Sequence, residues 1–303
     1  MSAHPPPPGG DAVYGKDRDT PAAPAPSPTD VGAGSRPMAG EGGLSLGPLG
    51  TVEWPAVAGV WTRERVLFKR LWKSTTFSSI VEPTIYLLAF GFGLGALVPE
   101  IDGYTYVEFV GTGTVATAVL FASVFAAMFN TYVKREFLKT YDAILATPVD
   151  VAELMISEAG WLALKAGVYG NAPLLVAMLF GLEPSPGMVI VPFVAALTGL
   201  GFAFLGQWIS TLVPSIDSFN YVTSAVITPL FLLAGTFFPL SNFPDWVQTL
   251  ALFNPLYHCV ELVRHASFGF VMPNDLGHVG ALLLFAVIAG ALSIRGARRK
   301  LIG

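Results

Sequence analysis

The sequence is poor in most of what a water-soluble fold needs. Charged residues make up 13% of its 303 positions, about half the ~25% usual in soluble domains. The surfaces of one or two soluble domains would need far more Lys, Arg, Glu and Asp, which excludes an ordinary soluble enzyme. Cys259 is the single cysteine, so neither an intrachain disulfide nor a thiolate metal cage can form, and the redox compartment cannot be read from it. The Lys and Arg residues form no run or face long enough for a nucleic-acid footprint. Histidine occurs at positions 4, 258, 265 and 278 only, without an H-E-x-x-H or equivalent spacing, so no metal site and no catalytic constellation is expected. What is abundant is apolar: 53% of the residues are hydrophobic. For most of this chain the solvent is lipid.

Residues 1 to 50 are the exception. They hold ten of the 24 prolines and ten of the 32 glycines, and nearly lack aromatic and β-branched residues. Such a segment buries too little apolar surface to offset its ordering, and a disordered tail is expected. It lacks the basic end and apolar stretch of a secretory signal. Gly10 to Lys16 matches the start of a phosphate-binding loop, but Asp17 stands where the Mg²⁺ site needs a hydroxyl and no apolar strand precedes it. ATP binding by this chain is not expected.

The remaining residues, 51–303, read as one all-α integral membrane domain. A helix needs roughly 20 mainly apolar residues to cross the hydrocarbon, and six stretches qualify: Phe77 to Val98, Val107 to Asn130, Ala159 to Leu182, Met188 to Val213, Ser218 to Leu240 and Leu276 to Ile294. Twelve basic residues fall on one side of a six-span arrangement, at 63, 65, 69, 70 and 73, at 134, 135 and 139, and at 295, 298, 299 and 300; the other side holds only Arg264. By the positive-inside rule both termini are expected in the cytoplasm. Glu82 and Lys165 lie inside expected spans, where ionisable groups are costly and functional by default, although both are near enough to an end to reach the interface. Gly91 with Gly95, and Gly199, Gly201 and Gly206, are expected to let helices approach closely.

Three segments are neither span nor simple loop. From Val57 to Lys73 the apolar residues Val57, Val60, Trp61, Leu67, Phe68, Leu71 and Trp72 share one arc, the pattern of an amphipathic helix lying in the interface. Glu64 falls inside that arc. Thr131 to Glu158 carries apolar residues at helical spacing, is broken at Thr147-Pro148, and can restart at an Asp150/Glu153 capping box. It is expected to be a cytoplasmic helical hairpin whose apolar residues are covered by a partner or by its own membrane domain. Pro239 to Asp275 is too apolar for a loose loop and reads as two short re-entrant helices split at Asn254-Pro255, with His258, Glu261 and Arg264 or His265 on one face.

This order of parts resembles the membrane subunit of type 2 ABC exporters. The strings that carry the likeness are Glu82-Pro83 followed by Ile85 to Gly91, Thr140 to Val149, and Asn254-Pro255-Leu256-Tyr257-His258 leading to Glu261-Leu262-Val263-Arg264. They are most similar to the branch holding the nodulation lipo-oligosaccharide exporter permeases and the daunorubicin-type drug-resistance permeases. The Pro-rich tail is a departure from that pattern. The resemblance implies a permease of a bacterial-type plasma (inner) membrane that dimerises, sits on two copies of a separate ABC ATPase holding ATP and Mg²⁺, and moves a lipophilic or amphipathic substrate outward. It makes Tyr141, Asp142, Ile144, Leu145, Thr147 and Pro148 the coupling helix against that ATPase. It makes Phe238, Pro239, Asn254, Pro255, His258, Glu261 and Arg264 an outer gate. On the residues alone two other readings stay open. An ion-coupled secondary transporter would need carboxylates at the bilayer centre, and a lipid-modifying membrane enzyme would have only His258 with Glu261 to work with.

Overall fold

The computed structural model describes residues 44–45, 51–98, 100–101 and 103–302. The chain divides into two units, Met1–Met38 and Ala39–Gly303, and all described residues belong to the second. The tail expectation therefore lies outside the described residues, apart from Leu44–Ser45 (β1), which pairs antiparallel with Thr51–Val52 (β2).

Helix α1 runs without interruption from Trp54 to Gly95, about 63 Å at 1.5 Å per residue. This corrects the expectation of a separate interfacial helix before the first span. Lys73 to Ser79 contains no glycine or proline that would stop a helix. Nor does the first half of α1 lie by itself: Val57 and Val60 are buried, while Leu67, Leu71 and Trp72 are exposed. A short ladder of Glu100–Ile101 (β3) with Tyr104–Thr105 (β4) follows, and Thr105 then caps α2, Tyr106–Leu120, through a capping box with Glu108. A π-helical turn at Phe121–Phe125, helix α3 at Ala126–Tyr132 and a second π turn at Val133–Phe137 extend it into one 32-residue run.

After the short helix α4, Thr140–Leu145, comes α5, Val151–Tyr169, with α6, Ala172–Leu179, continuing it. The 3₁₀ turn Pro186–Ile190 leads into α7, Val191–Leu212. Next are α8 at Ser218–Val222, a π turn at Thr223–Ile227 and α9 at Thr228–Leu232. The chain ends with α10 at Asp245–Ala251, α11 at Pro255–Phe268 and α12 at Asn274–Leu301. Four runs are long and apolar enough to cross a membrane: Tyr106–Phe137, Val151–Leu179, Pro186–Leu212 and Asn274–Leu301. The protein is thus an all-α integral membrane chain. The first expected span is the later part of α1. The fifth is helical only to Leu232 and gives way to a buried irregular stretch around Gly235, whose φ of +77° suits glycine. Its apolar composition runs on to Leu240, which is why the sequence boundary overshoots.

Helix α7 is the centre, packed against α2, α3, α5, α11 and α12. Three of its glycines make that approach possible. A Cβ on Gly199 would stand 2.5 Å from the Ala166 methyl, one on Gly201 2.5 Å from the Phe285 ring, and one on Gly206 2.6 Å from the Val124 carbonyl oxygen. Around Gly91 and Gly95 the nearest atoms lie at 3.5 and 3.7 Å, so close approach is not what those two provide. Gly206→Ala should therefore lower stability by about 1–3 kcal/mol through overpacking against backbone, read as a drop in the thermal unfolding midpoint in detergent. Gly91→Ala should leave that midpoint unchanged or slightly raised, and equal effects at both positions would contradict this packing.

Candidate functional site

The expected hairpin is built from the ends of two long helices. The π turn Val133–Phe137 ends one, Lys139 takes a left-handed φ of 49° to reverse the chain, and α4 follows at once. Asp150 and Glu153 form the capping box read from the sequence, but the helix they open is not short. It is α5, which continues into the third expected span.

A polar network ties this apex down. Lys134 donates from Nζ to Glu64 Oε1 of α1 at 2.8 Å and to Glu158 Oε1 of α5 at 2.7 Å. The second carboxylate oxygen of Glu158 accepts the Tyr141 hydroxyl. Burial, and then the charge of Glu158, push the Tyr141 phenol well above its ordinary pKa, so it stays a donor. Glu64 also pairs with Arg63 at 2.9 Å, which explains a carboxylate in the apolar arc of α1. Behind it, Trp61 donates to the Ser157 carbonyl at 2.9 Å and meets the Trp161 ring edge-on. A second set of contacts closes the same end. Arg298 of α12 donates to both Asp150 oxygens at 2.8 Å, and the Glu153 carboxylate accepts from the backbone N–H groups of Asp150 at 2.7 Å and Glu53 at 2.6 Å.

These contacts sort the expected coupling residues by face. Tyr141 is buried, and Ile144 and Leu145 are half-buried against the cluster formed by Val57, Val60, Val151 and Met155. Asp142, Ala143, Ala146, Thr147 and Pro148 are exposed, as are Phe137 and Leu138 just before the turn. Lys165, seven residues beyond Glu158 on α5, is half-buried and forms no ion pair among the described residues. Glu82 lies in α1, and its side chain is outside the described residues.

At the opposite end of α2, the split at Asn254-Pro255 is where the sequence put it. Asn254 caps α11 by accepting from the Leu256 N–H at 3.0 Å, and its amide donates to the Leu230 carbonyl at 2.7 Å. Phe238 is exposed and Pro239 half-buried at the start of this region. Arg264 does not lie on a solvated face. It sits 3.7 Å over the Phe109 ring, donates to the Gly235 carbonyl at 2.7 Å and pairs with Glu261 at 3.5 Å. His265 bonds Asp275, whose other oxygen accepts from the Val271 N–H at 2.7 Å. His258 approaches His278 of α12 Nδ1 to Nδ1 at 2.7 Å, and its Nε2 meets the Leu252 carbonyl at 2.9 Å. A carbonyl accepts only, so His258 Nε2 carries a proton, and a neutral His258 then receives the His278 proton at Nδ1. Phe109, Asp275 and His278 were not legible as site residues, because the contacts join positions far apart in the sequence.

Burial lowers the pKa of His258, against the opposing pull of its Leu252 bond and the Glu261 charge. A ring held neutral in the fold gives up its stabilisation as pH falls through the unfolded value of about 6.5. Protection of the α11 amides in nanodiscs, taken relative to an intrinsic exchange rate that itself slows with falling pH, should therefore drop between about pH 7 and pH 5, and His258→Gln should flatten that drop. A drop in protection equally steep in the variant would remove His258 as its source.

With this geometry in hand, likeness to known proteins is informative. Residues 56–268 match the family model described as ABC-2 type transporter. Nodulation protein J of Rhizobium leguminosarum bv. trifolii is 34% identical over 265 residues, covering 88% of this chain and 100% of the relative. Nodulation protein J of Bradyrhizobium diazoefficiens is 30% identical over 262 residues, 86% of this chain and 99% of the relative. The inner membrane transport permease YadH of Escherichia coli K12 is 24% identical over 237 residues, 77% of this chain and 91% of the relative. The chain belongs to the ABC-2 type transporter family.

Proposed function

We propose that this protein is the permease subunit of an ATP-driven exporter, moving a lipophilic or amphipathic substrate such as a lipo-oligosaccharide, glycolipid or drug out of the cytoplasm or inner leaflet. ATP and Mg²⁺ bind to a separate ABC ATPase, two copies of which serve a permease homodimer. The observation that carries this reading is α4. A six-residue helix is too short to hold itself in water, yet this one is fixed between the ends of two long helices and keeps one face open beside charged residues. A family whose members work with ABC ATPases gives that face its partner.

The twelve basic residues support six passes, with both termini and α4 in the cytoplasm and the α10–α11 pair capping the outer mouth. The name of the Escherichia coli relative supports an inner membrane location. In this reading the chain performs no chemistry; it converts a push at α4 into a change at the outer pair. Glu82 and Lys165 stand near the cytoplasmic interface, where Lys165 can extend its amine toward water.

Two experiments test this. Ala143→Arg with Ala146→Arg places two bulky cations on the open face of α4 without touching its buried side. The double variant should keep the wild-type thermal midpoint and lose co-purification of the ATPase. Ile144→Asp with Leu145→Asp should in addition lower the midpoint, because those side chains pack inward. Retained co-purification in the arginine variant would show that the ATPase binds elsewhere. For topology, single cysteines at Ser185 and Gly303 in a Cys259→Ala background should label from outside and from the cytoplasm respectively. Labelling of position 303 from outside would overturn the six-pass arrangement.

A further inference from the structure

Transmission of force requires that α4 move together with what it is meant to move. A half-exposed helix of six residues hinged on a left-handed Lys139 would otherwise yield locally and dissipate the push. What prevents this lies on the inner side of α4, where Tyr141 is the one fully buried residue of the helix and carries a hydroxyl. That group is bonded to Glu158 of α5, Glu158 to Lys134, and Lys134 to Glu64 of α1. Three of these side chains lie at least 85% out of solvent and Tyr141 is 1% exposed. Each link leaves a charge or a lone pair buried if its partner is removed, which makes breaking it costly.

Resting on the coupling reading above, we infer that Tyr141 and Glu158, together with Lys134 and Glu64, are positioning residues for energy coupling: they clamp α4 to α1 and α5 so that displacement of α4 by the ATPase carries those two helices as one body. None of the four contacts the ATPase through this clamp, since Tyr141 turns away from the open face. Their loss should leave ATPase binding intact and abolish the response at the far end. The Asp150–Arg298 fork extends the same body to α12, but as an outer and half-exposed contact it is the weaker link.

The test uses the full permease with its ATPase in nanodiscs and Phe253→Cys as reporter. Position 253 is 81% exposed on the outer helix pair, and the native Cys259 stays silent because burial pushes its thiol up to about 12. In the otherwise wild-type complex, MgATP with vanadate should change the rate at which a membrane-impermeant maleimide labels position 253. Tyr141→Phe keeps the ring and deletes the hydroxyl; it should retain co-purified ATPase and lose the nucleotide-dependent change. Glu158→Gln should do the same, and the double variant should be no worse than either alone, because both cut one chain of bonds. Lys134→Arg, which keeps the cation, should preserve the response, and Lys134→Gln should lose it; this pair carries the test if Tyr141→Phe does not fold. A wild-type response in folded Tyr141→Phe or Lys134→Gln complexes would overturn the clamp while leaving the coupling reading standing. Absence of ATPase from the wild-type preparation would overturn the coupling reading and the clamp with it.

Discussion

Everything around α4 turns on one lysine serving two carboxylates. Lys134 sits between Glu64 and Glu158 at hydrogen-bond distance from both, and removing it would leave two buried negative charges with nothing between them. A buried ion pair contributes little net stability compared with an apolar replacement, but losing one partner of it is expensive. The network therefore acts less as glue than as a constraint on geometry. Its members come from α1, the π turn after α3, α4 and α5, so the bonds tie four elements to one another. The aromatic contacts beside it, Trp61 with Trp161 and Phe68 with Trp161, fill space that the polar groups leave and keep water from competing for their bonds.

The second constraint is the solvent. Lipid offers no hydrogen bonds, so backbone groups at membrane depth must be satisfied within helices, or within protein where a helix stops. The stretch around Gly235 shows how the latter is managed. Its carbonyl takes the Arg264 guanidinium, the neighbouring Leu230 carbonyl takes the Asn254 amide, and the Phe237 carbonyl accepts from the Tyr106 hydroxyl at 3.3 Å. Arg264 on the polar face of α11, the Asn254 cap and Tyr106 at the start of α2 are the groups that make the interrupted helix tolerable.

Much of this was legible in the sequence, and the rest was not for definable reasons. Hydropathy and helix stop signals are local, so the membrane class, the Asp150 capping box, the Thr147-Pro148 break and the Asn254-Pro255 split could be read directly. Glycine spacing located the close approach at Gly199, Gly201 and Gly206 but could not exclude Gly91 and Gly95, because the pattern does not say whether a neighbour is there to approach. What periodicity could not supply was orientation. Tyr141, Ile144 and Leu145 share an apolar character that reads as a docking face, yet the pocket they fill belongs to Val57, Val60, Val151 and Met155 of the same chain. Glu64 looked like a flaw in an amphipathic pattern because the partner that ties it to another helix, Lys134, lies 70 residues away.

The run from Tyr106 to Phe137 connects the two ends physically. Its first turns hold Tyr106 and Phe109 against the Gly235 stretch and Arg264, and its last turns hold Lys134 in the network beneath α4. Two π turns interrupt it, at Phe121–Phe125 and Val133–Phe137, and such turns are rare inside α-helices and frequent at functional sites. The first lies midway, where Phe121 touches Phe231 of α9; the second abuts the hinge at Lys139. In the coupling proposed above, the clamp at one end decides which helices respond to a push, and the π turn at Phe121–Phe125 is where the run between the two ends departs from α-helical geometry.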